Sequence, residues 1–433
     1  MVFVSEVVIE LGEVRDAPEV REPVTSRHFR IPLLGLVLLL AALPGGAATR
    51  ARPAPPVTVP AAIGDRVQSR ADRLYVIGAG VPVGSPVTTQ TVRAYTLPAV
   101  HPLFEQSVRV SGEIVDVQAA AGDDLLLVQV RGYTDAGQTT IAVRPGVAEP
   151  LWTLPGALAG VLPGGTAVFG SRVVGAADTD TGLDWRGVDL ATGAIRWTIR
   201  QQPGEQAALD TDRGAPRWLY LLREERLTAY DTRDGRPVAE VALPGMRPRS
   251  AVLWPLTGRL LVSSDATGST IFDTGSGLRA AAHVGNSLTG YTAADDCQEL
   301  ICAYNHEGSL AGLDPRTLAE RWSVVGEAYT TWLDGYLLTF DPFAVRPVIR
   351  RSDPVTGQET GRVTGWQFAP GPGSEVYLRR GVGKREWFGR LEPARMWVRP
   401  LIAVENVTDE CQVTGEVLIC RKIDGSVGVW RLR

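Results

Sequence analysis

Four cysteines are the residues best suited to chemistry, and they occur as two close pairs. Cys297 and Cys302 lie in CQELIC, and Cys411 and Cys420 lie in CQVTGEVLIC. Zinc sites use a tighter Cys-x-x-Cys spacing or histidine companions, which neither pair has, so disulfides are favoured over metal ligands and over free buried thiols. Because disulfides persist in oxidising compartments, the part of the chain that carries these cysteines is predicted to lie outside the cytoplasm.

The other residues that could do chemistry form no catalytic set. The four histidines are scattered, and His306 beside Glu307 is predicted to be a hairpin-turn residue rather than a ligand or base. Five basic residues lie close together: Arg379, Arg380, Lys384, Arg385 and Arg390. They could bind an anion or a partner at one mouth of the domain, or they could be a solvated hairpin. The sequence therefore offers no catalytic residue, and no metal or cofactor is expected.

The composition is that of a globular chain rich in turns. Of 433 residues, 44% are hydrophobic and 21% are charged, and there are 47 glycines and 30 prolines, as expected for many short strands joined by turns. A net charge of −4 gives no electrostatic footprint for nucleic acid. Only Lys384 and Lys422 are lysines among the 44 basic residues, which indicates a GC-rich, actinobacterial genome.

One apolar block, residues 31–48, is long enough to cross a membrane as a helix of roughly 27 Å. We predict an uncleaved signal anchor, because a long acidic segment precedes it; a cleaved signal peptide and a buried core helix are the alternatives. The predicted organisation is a cytoplasmic tail (1–30), the transmembrane anchor (31–48), a Pro-rich linker (49–71) and a repeat domain (72–433).

The repeat domain shows one pattern every 39 to 42 residues. A strand signal ends in an acidic marker, a tight turn follows, and another strand begins. The clearest markers are Asp189, Asp231, Asp273, Asp314, Asp353 and Glu392. Short strands at this period are typical of a β-propeller, so the predicted fold is all-β, with eight four-stranded blades or alternatively seven. We expect strands from both ends of the domain to complete one blade, because an unpaired edge is a liability.

The marker aspartates are predicted to be structural. An Asp side chain can accept hydrogen bonds from backbone N–H groups two residues on and so fix the turn. Several units also place a tryptophan after the turn, namely Trp152, Trp197 and Trp322. We expect these rings to pack between neighbouring blades.

Asp189, Thr192, Gly193 and Trp197 form a pattern that resembles the pyrroloquinoline-quinone-like repeat of eight-bladed quinoprotein-type propellers. The resemblance implies a propeller shared by quinone-dependent dehydrogenases and by non-enzymatic scaffolds. The dehydrogenases use a disulfide between adjacent cysteines and a calcium held by Glu, Asn and Asp. This chain has no adjacent cysteines and only three asparagines, so the resemblance implies a scaffold without cofactor.

The sequence as a whole predicts a membrane-tethered, extracytoplasmic propeller that binds a protein or another envelope ligand without catalysis, as a monomer and without nucleic acid. Two alternatives stay open. One is a quinone-dependent oxidoreductase, or another enzyme, with its active site in the propeller funnel. The other is a transmembrane sensor whose inner tail, residues 1–30, contacts a cytoplasmic partner.

Overall fold

A computed structural model describes the chain from residue 55 to residue 432, with short gaps. The described ranges are 55–80, 87–120, 124–132, 137–172, 182–212, 215–275, 277–285, 287–305, 308–326, 329–341, 347–371 and 377–432. The predicted tail and anchor lie outside these ranges. In the part that is described, no helix is long and apolar enough to span a membrane.

The described residues form nine four-stranded antiparallel sheets, which are the blades of a propeller. The first described strand, β1 (Val57–Val59), belongs to blade 9. Blade 1 contains β2 (Arg66–Arg70), β3 (Arg73–Ile77), β4 (Thr88–Thr96) and β5 (Pro102–Val110). Blade 2 contains β6 (Gly112–Ala120), β7 (Leu125–Gly132), β8 (Gln138–Val143) and β9 (Trp152–Pro155). Blade 3 contains β10 (Ala157–Leu162), β11 (Thr166–Arg172), β12 (Leu183–Asp189) and β13 (Ile195–Gln201). Blade 4 contains β14 (Gln206–Asp212), β15 (Ala215–Arg223), β16 (Arg226–Asp231) and β17 (Pro237–Ala242).

The remaining blades follow the same plan. Blade 5 contains β18 (Ala251–Leu256), β19 (Arg259–Ser264), β20 (Gly268–Asp273) and β21 (Arg279–Val284). Blade 6 contains β22 (Tyr291–Cys297), β23 (Leu300–Asn305), β24 (Ser309–Leu313) and β25 (Glu320–Val325). Blade 7 contains β26 (Tyr329–Leu333), β27 (Tyr336–Phe340), β28 (Val348–Ser352) and β29 (Glu359–Thr364). Blade 8 contains β30 (Gln367–Phe368), β31 (Tyr377–Val382), β32 (Arg385–Glu392) and β33 (Trp397–Glu405). Blade 9 contains β34 (Val407–Thr414), β35 (Val417–Lys422), β36 (Val427–Arg431) and β1. A 3₁₀ turn at Pro248–Ser250 precedes blade 5.

The predicted number of blades, eight or seven, is wrong: there are nine. Together with weaker copies near Leu97 and Pro145, the six repeat markers and the end of the sequence bound eight intervals on a line. After β33, the chain forms three more strands, β34, β35 and β36, and β1 adds the fourth, so this last segment is a ninth blade. Strand β1 pairs with β36, with Val57 opposite Val429. Two strands, β1 and β2, lie within the predicted linker 49–71, so part of that segment belongs to the propeller.

The hydrophobic core lies between the blades. The second strand of a blade is often a continuous apolar run, such as Leu260 to Val262, because neighbouring blades cover both of its faces. One cluster joins blades 9 and 1 and contains Leu74, Val76 and Val429. The ring is therefore closed by apolar packing as well as by the β1–β36 strand pair.

The marker aspartates stabilise the turn between the third and fourth strands. Asp189 Oδ1 accepts hydrogen bonds from the backbone N–H groups of Ala191, at 3.0 Å, and Thr192, at 2.9 Å. The same hydrogen bond, from the backbone N–H two residues after the aspartate to its Oδ1, is found at Asp231, Asp273, Asp314 and Asp353. Because the blades share one strand order, these turns lie at the same end of the propeller, which we call the Asp-turn end.

These contacts also stabilise the ionised form of the carboxylates. The Arg196 guanidinium, first, and Thr192, second, hold the pKa of Asp189 below its usual value. At Asp353 the backbone N–H and then the hydroxyl of Thr356 lower the pKa in the same direction. The turns are therefore strongest when these aspartates are charged.

Three tryptophans connect the outer strand of one blade to the Asp turn of the next. Each indole N–H donates to a turn carbonyl at 2.9 to 3.1 Å, in the pairs Trp152 with Leu190, Trp197 with Thr232, and Trp322 with Pro354. Each ring also lies on a turn glycine. At Gly235, which has a φ of +70°, an added Cβ would lie 2.6 Å from Trp197 Cγ. Only glycine allows both this backbone conformation and this close approach.

Candidate functional site

Both predicted disulfides are present, and each joins the first and second strands of a blade. Cys297 and Cys302 bridge β22 and β23 with a Cα–Cα distance of 5.6 Å. Cys411 and Cys420 are direct partners on β34 and β35, 4.1 Å apart. All four cysteines are buried, and none is free. Neither bridge joins adjacent cysteines.

Polar groups with shifted pKa values lie between blades 6 and 7. Partial desolvation raises the pKa of Asp295 on β22, against the opposing effect of a hydrogen bond from Tyr304, although Asp295 remains exposed to solvent. Burial also raises the pKa of Tyr304 to about 12, and its hydroxyl hydrogen-bonds to Thr330 on β26. The phenol is therefore neutral at pH 7 and serves as a hydrogen-bonding group rather than as a base. Nowhere in the described ranges do three or more His, Cys, Asp or Glu side chains gather as a metal site would require.

The five predicted basic residues are spread along β31, β32 and the turn between these strands. Arg379 donates to the Asp409 carbonyl at 2.8 Å, and Arg385 forms an ion pair with Glu405 at 2.5 Å. Lys384 and Arg385 are at the turn between the second and third strands, away from the Asp-turn end. Arg390 lies near the Asp-turn end of β32 and lines a cleft of about 380 Å³ with Arg395. The fifth residue, Arg380, lies on β31 and is exposed. His306 and Glu307 lie outside the described residues.

A larger cavity, about 650 Å³ in volume, opens where blade 9 meets blade 1, at the end opposite the Asp turns. We call it the closure cavity. Its lining comes from the β1–β2 connection, β34 and the β35–β36 turn, and from Glu113 of blade 2; it comprises residues 63–67, Glu113, Thr408, 410–412, 421–423 and Gly425. Its volume is in the range of ligand-binding clefts.

Arg421 fixes the wall of this cavity. Its buried guanidinium donates to the Glu410 carboxylate at 2.6 Å, and to the carbonyls of Ala62 and Gly425 at 3.1 Å each. It also donates to the Asp65 carbonyl. One side chain therefore holds the β35–β36 turn and the β1–β2 connection together. Because all three of its nitrogens donate hydrogen bonds within the protein, Arg421 is a positioning residue and not a free cation for a ligand.

The mouth of the closure cavity combines apolar and charged side chains. Ile63 is 81% exposed and Ile423 is 66% exposed, and both line the same cavity. Beside them, Lys422 donates to the Thr58 hydroxyl at 2.9 Å. Exposed apolar residues rimmed by polar ones mark protein interaction sites. The arrangement is suited to contact with another macromolecule.

Sequence reasoning missed the closure cavity, because its walls come from opposite ends of the chain. Ile63 lies in the predicted linker, and Arg421 follows a cysteine in an otherwise ordinary strand. The available signal was one isolated aliphatic residue in a polar turn, Ile423 between Lys422 and Asp424.

By its strand order, the chain belongs to the class of β-propellers, with nine blades closed by an N-terminal strand. No protein-family model matches it, and no curated protein matches its sequence. Among solved structures, BamB from Moraxella catarrhalis is similar over 88% of this chain and 98% of its own, with 15% identity and a TM-score of 0.43. Sqt1 of Saccharomyces cerevisiae shows 12% identity over 87% of this chain and 97% of its own, with a TM-score of 0.41. The C-terminal WD40 domain of Sif2 shows 8% identity over 88% and 99%, with a TM-score of 0.43.

Proposed function

We propose that this protein is a membrane-tethered propeller outside the cytoplasm that binds a partner protein at the mouth of the closure cavity. The observation that carries the proposal is the exposure of Ile63 and Ile423 beside a cavity whose wall is fixed by Arg421. Removing these two aliphatic side chains from water would contribute roughly 1.5 to 3 kcal/mol each on binding. A partner with apolar anchors and a polar rim fits this surface.

The two buried disulfides support the proposed location. In a reducing cytoplasm such bridges are rare, whereas they persist in secreted and periplasmic domains. The apolar segment 31–48 would hold the propeller at the membrane, and the prolines that follow it would keep the propeller away from the lipid.

The location is tested by the oxidation state of the cysteines in cells. The full chain is alkylated in denaturant directly upon lysis, with and without prior reduction, and the number of labelled thiols is read by mass. We expect no label before reduction and four labels after it. Labelled thiols in the unreduced sample would contradict an oxidising location.

The binding surface is tested by site-specific photo-crosslinking in the native host. A photoreactive residue at Ile423 is compared with one at Val355, which is 52% exposed at the Asp-turn end. We expect one discrete adduct from position 423, lost when Ile63 is changed to Glu, and no such adduct from position 355. Equal adducts from both positions, or an adduct unaffected by Ile63→Glu, would overturn the proposed surface.

A further inference from the structure

The contact between blades 4 and 5 lacks the tryptophan found at three other blade contacts. Trp197 and Trp322 each lie eight residues after a marker aspartate, Asp189 and Asp314. Eight residues after Asp231, the corresponding residue of blade 4 is Ala239. The strand register agrees, because Ala239 pairs with Ala229 as Trp197 pairs with Gly187. An alanine opposite does not exclude an indole, since Ala142 lies opposite Trp152 in blade 2.

A cavity of about 170 Å³ occupies the place of the absent ring. We call it the blade 4–5 slot. It is lined by Trp218, Tyr220, Ala239, Thr274, Gly277 and Leu278, among others. An enclosed cavity of about 150 Å³ holds one benzene ring. The slot, which is open on one side, is therefore large enough for one six-membered ring, and half-exposed Val238 is among its lining residues.

The floor of the slot repeats the surface on which Trp197 lies. Gly277 has a φ of +75°, close to the +70° of Gly235. A Cβ added to Gly277 would lie 3.8 Å from Ala239 Cβ, its nearest neighbour, whereas at Gly235 the distance to Trp197 Cβ is 2.7 Å. Thr274 follows its marker aspartate as Thr232 does, and the Thr232 carbonyl accepts the Trp197 N–H. The turn is thus built to receive an indole, with slightly more space.

We propose that the blade 4–5 slot binds an indole group, supplied by a tryptophan side chain of a partner polypeptide. The occupant is inferred from the protein itself, which places a tryptophan on three equivalent turns. The slot is at the Asp-turn end and the closure cavity is at the other, so this proposal does not depend on the proposed function.

The test uses the full chain and titration calorimetry with free indole, and with the peptide Gly-Trp-Gly as the second probe. We expect one site per chain for both probes. Ala239→Trp should fill the slot, weaken both probes at least tenfold and raise the thermal midpoint. Trp197→Ala should open a second slot, double the stoichiometry and regain part of its lost thermal stability when indole is added. The Trp197 variant keeps the test decisive if Ala239→Trp does not fold.

Three outcomes would overturn the proposal. The first is no binding of either probe to the unmodified chain. The second is binding that Ala239→Trp leaves unchanged. The third is binding of indole without Gly-Trp-Gly, which would make the slot a small-molecule site and refute the polypeptide occupant.

Discussion

Replacing Gly235 by alanine is expected to destabilise the propeller mainly through a collision with Trp197. The added Cβ would lie 2.6 Å from Trp197 Cγ and 2.7 Å from its Cβ, and the backbone φ is +70°. Gly258 provides a matched control, because its φ is +68° and an added Cβ there meets nothing within 4 Å. The two substitutions share the backbone strain and differ in the collision.

The magnitudes follow from these two contributions. An L-residue in the left-handed region costs about 1 to 2 kcal/mol, which is the whole effect expected for Gly258→Ala. Overpacking adds about 1 to 3 kcal/mol at Gly235, for a total of about 2 to 5 kcal/mol. Trp197→Ala alone should cost about 3 to 5 kcal/mol through the cavity that it leaves. In that background Gly235→Ala should cost only the backbone strain.

The assay is urea unfolding of the unmodified protein, both single variants, the double variant and Gly258→Ala, followed by circular dichroism. We expect a coupling energy of about 1 to 3 kcal/mol between positions 197 and 235. Equal losses for Gly235→Ala and Gly258→Ala, or additive losses in the double variant, would refute the idea that the indole needs glycine at that turn.

Three further predictions concern closure, oxidation and pH. Arg421→Met leaves three backbone carbonyls without their donor and should lower the free energy of unfolding by about 3 kcal/mol or more, measured in urea; an unchanged midpoint would show that Arg421 does not hold the ring closed. Replacing Cys411 and Cys420 by serine opens a ten-residue loop and should lower the free energy of unfolding by about 3 kcal/mol. Added reductant should lower the free energy of unfolding of the unmodified protein by at least as much. Asp189 and Asp353 have lower pKa values in the folded protein than the unfolded-state value of about 3.9, so their ionised forms stabilise the fold at pH values above about 3.9. This contribution is lost as the pH falls toward the folded-state pKa values. Asp353→Asn should therefore flatten the loss of stability between about pH 5 and pH 3 in an acid titration of the urea midpoint.

Much of the fold could be predicted from the sequence because the repeating element is local. Asp189, its turn and the following strand are specified within about a dozen residues, so the pattern is recognisable in six of the nine units without reference to the rest of the chain. The cysteine pairing was predictable for the same reason, since both partners lie on one hairpin. The number of blades was not, because the last blade has no Asp turn: its third strand, β36, and its fourth strand, β1, come from opposite ends of the domain.

The candidate sites show the same division between local and distant information. The basic residues from Arg379 to Arg390 are close in sequence, yet β31 and β32 carry them to opposite ends of a blade. Ile63 and Ile423 are far apart in sequence, yet ring closure brings them to one mouth. The blade 4–5 slot lies between these cases. Counting eight residues from Asp231 reveals the alanine, but only the fold reveals the space above Gly277.

The pairing of β1 with β36 also means that the ring can close only after almost the whole domain has been synthesised. Val57 leaves the ribosome 370 residues ahead of Val427, the first residue of its partner strand. At 5 to 20 residues per second this delay is roughly 20 to 75 s. During that interval Leu74 and Val76 lack the blade that covers them in the finished ring. The nascent protein therefore exposes an apolar face of blade 1. A chaperone could bind this face before the ring closes, and closure would then bury the binding site.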